Sequence, residues 1–422
     1  MVVDINYDDD RITGNANEKD EISSVTLPDH LLVEQILSRL PVKPVIRFKS
    51  VSKFYHSVIS SPEFTKSHLK SSSSSGQCIL LTHSPYKLIT LSYDDRNNLK
   101  SPIELDFSLD LSFKQQLQPE TGRYVGFAGS CNGLVCFYNQ SRWRDWRGTK
   151  QRGFFFICNP AMHLYREITS PVIANPGFSL EYFWFGYIPS IHDYKIVAQA
   201  FDASFYWFIY VFSMRTGKWN RICDIHELLH VERSILSLEK MVVFEDFLYW
   251  SFELPDVVDE WKTKRIVGFD LVNEQLKEFP WMDWLNRYKK LNFFVMNGCL
   301  SLLCTPSSTS TSTSSSSSSS SPSSSDVWML KQGDEWSCWE KSYSFESGDM
   351  NIVDITPSGK ILARGYKEPS LNRVKIIDPT QDNPEQSSLD ISDWNLSRQR
   401  GGGYVESLIS PFSTFQEETH QV

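Results

Sequence analysis

His226-Glu227-Leu228-Leu229-His230 is the string in this sequence whose residue types and spacing match a catalytic metal motif. Two imidazoles one helical turn apart can bind zinc, with the intervening glutamate as base. A zinc hydrolase of that kind also needs a third ligand downstream and a long buried helix. The nearest suitable acid, Glu253, follows Leu248-Tyr249-Trp250-Ser251-Phe252, which reads as a strand. The expectation is a short helix or loop after the strand at Trp219, with Leu228 and Leu229 packing inward. A zinc hydrolase through His226, Glu227 and His230 is kept as an outlying alternative.

Other catalytic patterns are missing. The sequence has no G-x-S-x-G, no Walker-type phosphate loop and no dinucleotide fingerprint, so nucleophilic, nucleotide and hydride chemistry have no signal. The eight cysteines are scattered without a C-x-x-C pair, and Cys131/Cys136 and Cys299/Cys304, each five apart, would point to opposite faces of a strand. They read as reduced core thiols in a cytoplasmic or nuclear protein.

What must then be explained is a binding protein. With 41% hydrophobic and 14% aromatic residues, the 422-residue chain can bury a large core and favours sheet packing. Its net charge is −9, yet residues 24–69 hold six Lys/Arg against three Asp/Glu, a basic module on an acidic protein. The acidic balance argues against nucleic acid, because phosphate binding needs a clustered positive field. Met1 to Asp10 carry four aspartates with no basic flank or apolar core, so no secretory signal is expected there, and no apolar run reaches a membrane span.

Residues 1–23 are acidic and polar and read as a disordered tail. From Leu27 to Leu40, apolar residues at 32, 33, 36, 37 and 40 make one helical stripe that Pro41 ends. A second short helix is expected from about Pro44, a third from Ser52 to Ile59, and a fourth capped by Ser61 with Pro62 at its first position. So small a module is expected to finish its burial against a partner. A serine linker at 70–76 follows.

The remainder is strand-like. Ile157, Phe212, Phe269, Met329 and Ile377 mark five similar segments at intervals of 48 to 60 residues, and a strand pair precedes each of the last four. Four strands per repeat is the pattern of propeller blades of roughly 45–50 residues. Phe208-Ile209-Tyr210-Val211-Phe212, apolar at both parities, fits a strand covered on both faces. The expected fold is mainly β with a small N-terminal α module: a three- to four-helix unit at 24–69, then a degenerate β-propeller-like domain at 77–411, with 307–325 as a serine-rich loop and 412–422 as a tail. Unrelated hairpins in an irregular α+β domain remain the competing reading, since the repeat lacks paired glycines.

Leu27-Pro28, Ile36-Leu37, Leu40-Pro41-Val42-Lys43, Arg47-Phe48-Lys49-Ser50-Val51-Ser52-Lys53 and Ser60-Ser61-Pro62-Glu63-Phe64 resemble an F-box. Gly129-Ser130-Cys131-Asn132-Gly133-Leu134-Val135-Cys136 and Cys158-Asn159-Pro160 resemble the F-box-associated, kelch-like domains of plant F-box proteins. The resemblance implies a substrate-recognition subunit of an SCF-type cullin-RING ubiquitin ligase, a non-catalytic adaptor without a cofactor. Its F-box would bind a Skp-type adaptor, and through it cullin and RING subunits, while the C-terminal domain captures an unknown protein substrate. It implies adaptor-facing or module-core roles for Leu27, Pro28, Ile36, Leu37, Leu40, Pro41, Val42, Val45, Phe48, Val51 and Tyr55. The family usually has Trp where this chain has Tyr55, whose hydroxyl needs water or a partner. Lys43, Arg47, Lys49 and Lys53 would form a basic rim towards an acidic adaptor. A carbohydrate or small-ligand binding module is the alternative from another class. Trp143, Arg144, Trp146 and Arg147 form an aromatic and basic cluster that reads either as a recognition patch or as an excursion without a role.

Overall fold

The computed structural model describes residues 28–72, 77–81, 87–93, 98–105, 123–141, 153–172, 178–202, 204, 206–224, 237–238, 241–254, 263–306, 324–331, 335–346, 350–356, 359–365, 373–381, 385–394 and 401–412. Helices come first. Asp29–Leu31 (α1) runs on through a wide π turn at Leu32–Ile36 and a tight 3-10 turn at Leu37–Arg39, and Leu40 is already extended ahead of Pro41. From the tight turn the Ser38 hydroxyl donates back to Glu34 O in the wide one at 2.5 Å, a bond that bends helices. Val42–Phe48 (α2) starts two residues earlier than Pro44 suggests, because the proline fits anywhere in a first turn. Lys53–Ser60 (α3) is capped by Ser52, which accepts from Tyr55 N at 3.2 Å. Pro62–Ser72 (α4) is capped by Ser61, which accepts from Phe64 N at 3.2 Å. The last helix runs into the expected serine linker as far as Ser72, and Ser71 satisfies its hydroxyl on Ser67 O at 3.1 Å.

Six antiparallel sheets follow among the described residues. The first contains Gln77–Leu81 (β1), Leu88–Ser92 (β2) and Ile103–Glu104 (β3). The second contains Arg123–Cys131 (β4), Leu134–Ser141 (β5), Gly153–Asn159 (β6) and Leu164–Thr169 (β7). The third is Ser179–Ile188 (β8), Asp193–Phe201 (β9), Trp207–Ser213 (β10) and Lys218–Asp224 (β11). In the fourth, Ser237–Leu238 (β12) and Val242–Phe244 (β13) both pair with Phe247–Leu254 (β14), followed by Thr263–Asp270 (β15) and Gln275–Phe279 (β16). The fifth is Tyr288–Met296 (β17), Cys299–Pro306 (β18), Ser324–Leu330 (β19) and Trp339–Glu346 (β20). The sixth is Met350–Ile355 (β21), Ile361–Gly365 (β22), Arg373–Ile377 (β23) and Glu385–Asp390 (β24). Gly402–Gly403 (β25) then returns to the first sheet, where Cys78 faces Gly403 and Ile79 faces Gly402.

This is a β-propeller closed by its own C-terminal strand. The five sequence marks fall in β6, β10, β15, β19 and β23, the third strand of the last five sheets. The sixth repeat escaped sequence reading because its strands come from both ends of the chain. Ser324 and Ser325, assigned to the serine-rich loop, instead open β19, where they pair with Glu346 and Phe345.

Burial on both faces explains the composition of the strands. In β10, Phe208, Tyr210 and Phe212 pack towards the second sheet, while Trp207, Ile209 and Val211 pack towards the fourth. Further apolar clusters fill the fourth–fifth, fifth–sixth, sixth–first and first–second interfaces, so each neighbouring pair of sheets is joined by an apolar cluster.

The two motifs singled out in the second sheet hold the closing segment. Asn159 is fully buried, and its amide donates to Ser407 O and Ile409 O, both at 2.8 Å, while its carbonyl accepts from Met162 N at 3.2 Å. Ser407 Oγ donates to Asn132 O at 2.7 Å, and Ser130 Oγ donates to Gly403 O. Gly133 sits at φ +79°, and a Cβ there would overlap Ser407 Oγ. Replacing Asn159 by Ala strands two carbonyls and one amide in the interior. We expect Asn159→Ala to lose about 3 kcal/mol of stability by urea unfolding, whereas exposed Asn220→Ala changes little.

Candidate functional site

The helical module has a sealed side and an open side. Leu37, Val42, Val45 and Ile59 are fully buried, with Phe64 close behind, and the propeller residues Leu408 and Ala161 complete their cluster. Ala161 lies in the 3-10 turn Pro160–Met162, for which Asn159 is the cap. His68, in α4, is fully buried and its Nε2 lies 2.8 Å from Leu40 O. Burial holds its imidazole below the usual histidine range. The expectation that the module finishes its burial on a partner therefore needs correction: much of it is finished within the chain, on the propeller.

The open side carries the candidate site. Val51 is 64% exposed, Phe54 48%, Ile36 41% and Leu31 38%. The wide turn in the first helix is closed by Leu37 N on Leu32 O, and Ile36 stands exposed at its end. Tyr55 joins the two halves of this surface. Its ring meets Phe54 edge-on at 5.2 Å and Phe48 at 6.4 Å, and its hydroxyl donates to Asp29 Oδ1 at 3.1 Å. Desolvation, with the Asp29 carboxylate as acceptor, pushes the phenol above its ordinary pKa. The polar partner that Tyr needs in place of Trp is thus supplied from the first helix.

Pro28, Ile36, Pro41 and Val51 are exposed, and Leu40, Phe48 and Tyr55 are half-buried, among the eleven residues singled out from sequence. Leu37, Val42 and Val45 belong to the sealed core. Leu27 lies outside the described residues. Leu31 and Phe54 were missed, although Phe54 adjoins Tyr55 and its exposure follows from the α3 periodicity, which buries Ile59. Of the basic rim, Lys43, Arg47 and Lys53 are exposed, while Lys49 is half-buried and desolvation lowers its ammonium pKa.

His226, Glu227 and His230, and likewise Trp143, Arg144, Trp146 and Arg147, lie outside the described residues. Among the described residues no group of three or more His, Cys, Asp or Glu side chains could hold a metal ion. Nor is any helix among them long and apolar enough to cross a membrane. Cys136, Cys158 and Cys304 are buried thiols, and burial raises their pKa, which suits packing rather than reactivity.

Residues 26–67 match the F-box domain family. An F-box/kelch-repeat protein of Arabidopsis thaliana is 27% identical over 329 residues, spanning 74% of this chain and 78% of that protein. A second Arabidopsis thaliana F-box protein is 24% identical over 375 residues, spanning 87% and 83% of the two chains. The solved β-propeller domain of the Trilobed protease from Pyrococcus furiosus superposes with a TM-score of 0.37 at 14% identity, covering 62% of this chain and 70% of that one. The protein is one in which an F-box domain precedes a β-propeller. Its relatives are plant F-box and F-box/kelch-repeat proteins.

The geometry separates the roles of the Tyr55 ring and hydroxyl. Tyr55→Phe removes one exposed hydrogen bond and should cost no more than about 1 kcal/mol. Tyr55→Ala also removes the contacts to Phe48 and Phe54 and should cost about 2 kcal/mol, read as faster amide exchange in α1 and α3.

Proposed function

We propose that this chain is the substrate-recognition subunit of an SCF-type cullin-RING ubiquitin ligase, a non-catalytic adaptor. The open side of the F-box binds a Skp-type adaptor, which brings cullin and RING subunits, and the propeller holds the target protein. The observation that carries this reading is the apolar surface of Leu31, Ile36, Val51 and Phe54. They are four of the seven exposed large apolar side chains among the described residues, gathered on one short helical module. Isolated exposed apolar residues are ordinary, but a gathered group with exposed Lys43, Arg47 and Lys53 nearby suits an acidic partner with an apolar contact.

Topology supports a place for the target. In an antiparallel blade the first-to-second and third-to-fourth turns lie at one end, because the chain reverses at each turn. The F-box cluster includes Ala161, which sits in a third-to-fourth turn, so the F-box occupies that end. The second strands stop and the third strands start at the other end, β5 at Ser141 and β6 at Gly153. A target protein held at that end of the sheets sits away from the adaptor, leaving both contacts open at once.

The test is binding of a recombinant Skp-type adaptor by the intact chain and by a Leu31→Asp, Val51→Asp, Phe54→Ala variant. Loss of several buried anchors should weaken binding by at least about a hundredfold. Unchanged affinity of the folded variant sinks the assignment of this surface. Failure of the intact chain to bind any Skp-type adaptor, or to bring down cullin from a plant extract, sinks the ligase reading itself.

A further inference from the structure

We infer that the C-terminal strap, Gly402 to Ile409, sets the direction in which the F-box points from the propeller, with Leu408 as its positioning residue. The inference deepens the ligase reading and rests on it.

Successive residues of the strap face opposite ways, as extended chain requires. Ile409 is 3% exposed and belongs to the cluster between the second and third sheets, together with Phe155, Ile157 and Ile196. Leu408, 5% exposed, belongs instead to the F-box cluster with Leu37, Val42, Val45, Ile59 and Phe64. Ser407 between them and the first-sheet pairing is pinned by polar contacts: Asn159 donates to its carbonyl at 2.8 Å, and its hydroxyl donates to Asn132 O at 2.7 Å. The strap is therefore fixed on the propeller side by hydrogen bonds to the second sheet, and its Leu408 side chain is inserted into the helical module.

The same contact is braced at α4. Leu69 packs against the second–third sheet cluster that contains Ile409, and the neighbouring His68 ties α4 to Leu40 O. A covalent connection does not by itself fix an angle between two folded units. Insertion of Leu408 replaces that freedom with a single orientation. For a ligase subunit this matters because the adaptor end fixes where activated ubiquitin arrives, while the propeller fixes where the target sits. A fixed angle between them keeps the effective concentration of the acceptor amine high.

The experiment places a pair of spin labels at exposed His56 in α3 and exposed Lys218 in β11 of the full-length chain. The labels are carried on non-natural amino acids, so that the native cysteines stay intact. Wild type should give one narrow distance distribution. Leu408→Ala should broaden it at least about twofold, because the cavity it leaves removes the wedge between two otherwise intact bodies. Affinity for a recombinant Skp-type adaptor should stay within about twofold, since Leu408 lies on the sealed side. A folded Leu408→Ala chain whose distribution is as narrow as wild type overturns the inference. If that variant does not fold, Leu408→Val is measured, with intermediate broadening expected and an unchanged width again overturning it. A wild-type chain that binds no Skp-type adaptor overturns the ligase reading and the positioning role with it. That outcome is distinguishable, because the distance measurement does not use the adaptor.

Discussion

The buried side chain of Asn159 holds the molecule together at the point where its parts meet. Its two amide hydrogens are taken by Ser407 O and Ile409 O, and its oxygen caps the turn that carries Ala161. Three backbone groups from two distant segments are satisfied by one residue in the interior, where each would be costly alone. Ring closure, the seating of the strap and the floor on which the F-box stands all depend on those bonds. No hydrophobic side chain could substitute, because the carbonyls at 407 and 409 would remain unpaired.

The two ends of the chain therefore cooperate. β25 supplies a strand to a sheet otherwise built from β1, β2 and β3. A few residues later the same segment supplies Leu408 to the helices that precede that sheet. The helical module is too small to be stable by itself, and its sealed face is apolar because the propeller covers it. Its open face is apolar for a different reason, one that folding does not satisfy.

Much of this could be read from sequence because it rests on local chemistry. Ser52 and Ser61 ahead of short apolar periodicities cap helices, Pro41 stops one, and runs such as Trp207 to Phe212 are apolar at both parities because a sheet lies on either side. What stayed hidden depends on contacts between distant positions. Gly402 and Gly403 have no strand signature, and only pairing with Cys78 and Ile79 makes them one. Leu37, Val42 and Val45 lie among exposed and half-buried apolar neighbours such as Ile36, Leu40 and Phe48, and nothing in their spacing reveals that Leu408 covers them. Phe54 lies beside Tyr55 at the start of α3, but its exposure depends on which face of α3 packs inward around Ile59, and the motif does not encode that. The Cys158-Asn159-Pro160 motif was visible as a signature, but its meaning lies in carbonyls roughly 250 residues away, a separation that no local pattern encodes.

Order of synthesis gives the strap a further meaning. The helices of the F-box leave the ribosome before the propeller, and Leu408 is made roughly 340 residues after them, a wait of about 20 to 70 s at ordinary elongation rates. During that interval the sealed face of the helices lacks its cover, and the first sheet lacks its closing strand. An unfinished chain therefore presents apolar surface in two places at once, both relieved by the same last segment. Translation that stops short of Gly402 leaves both exposed, which marks the product for chaperones and proteases rather than for assembly.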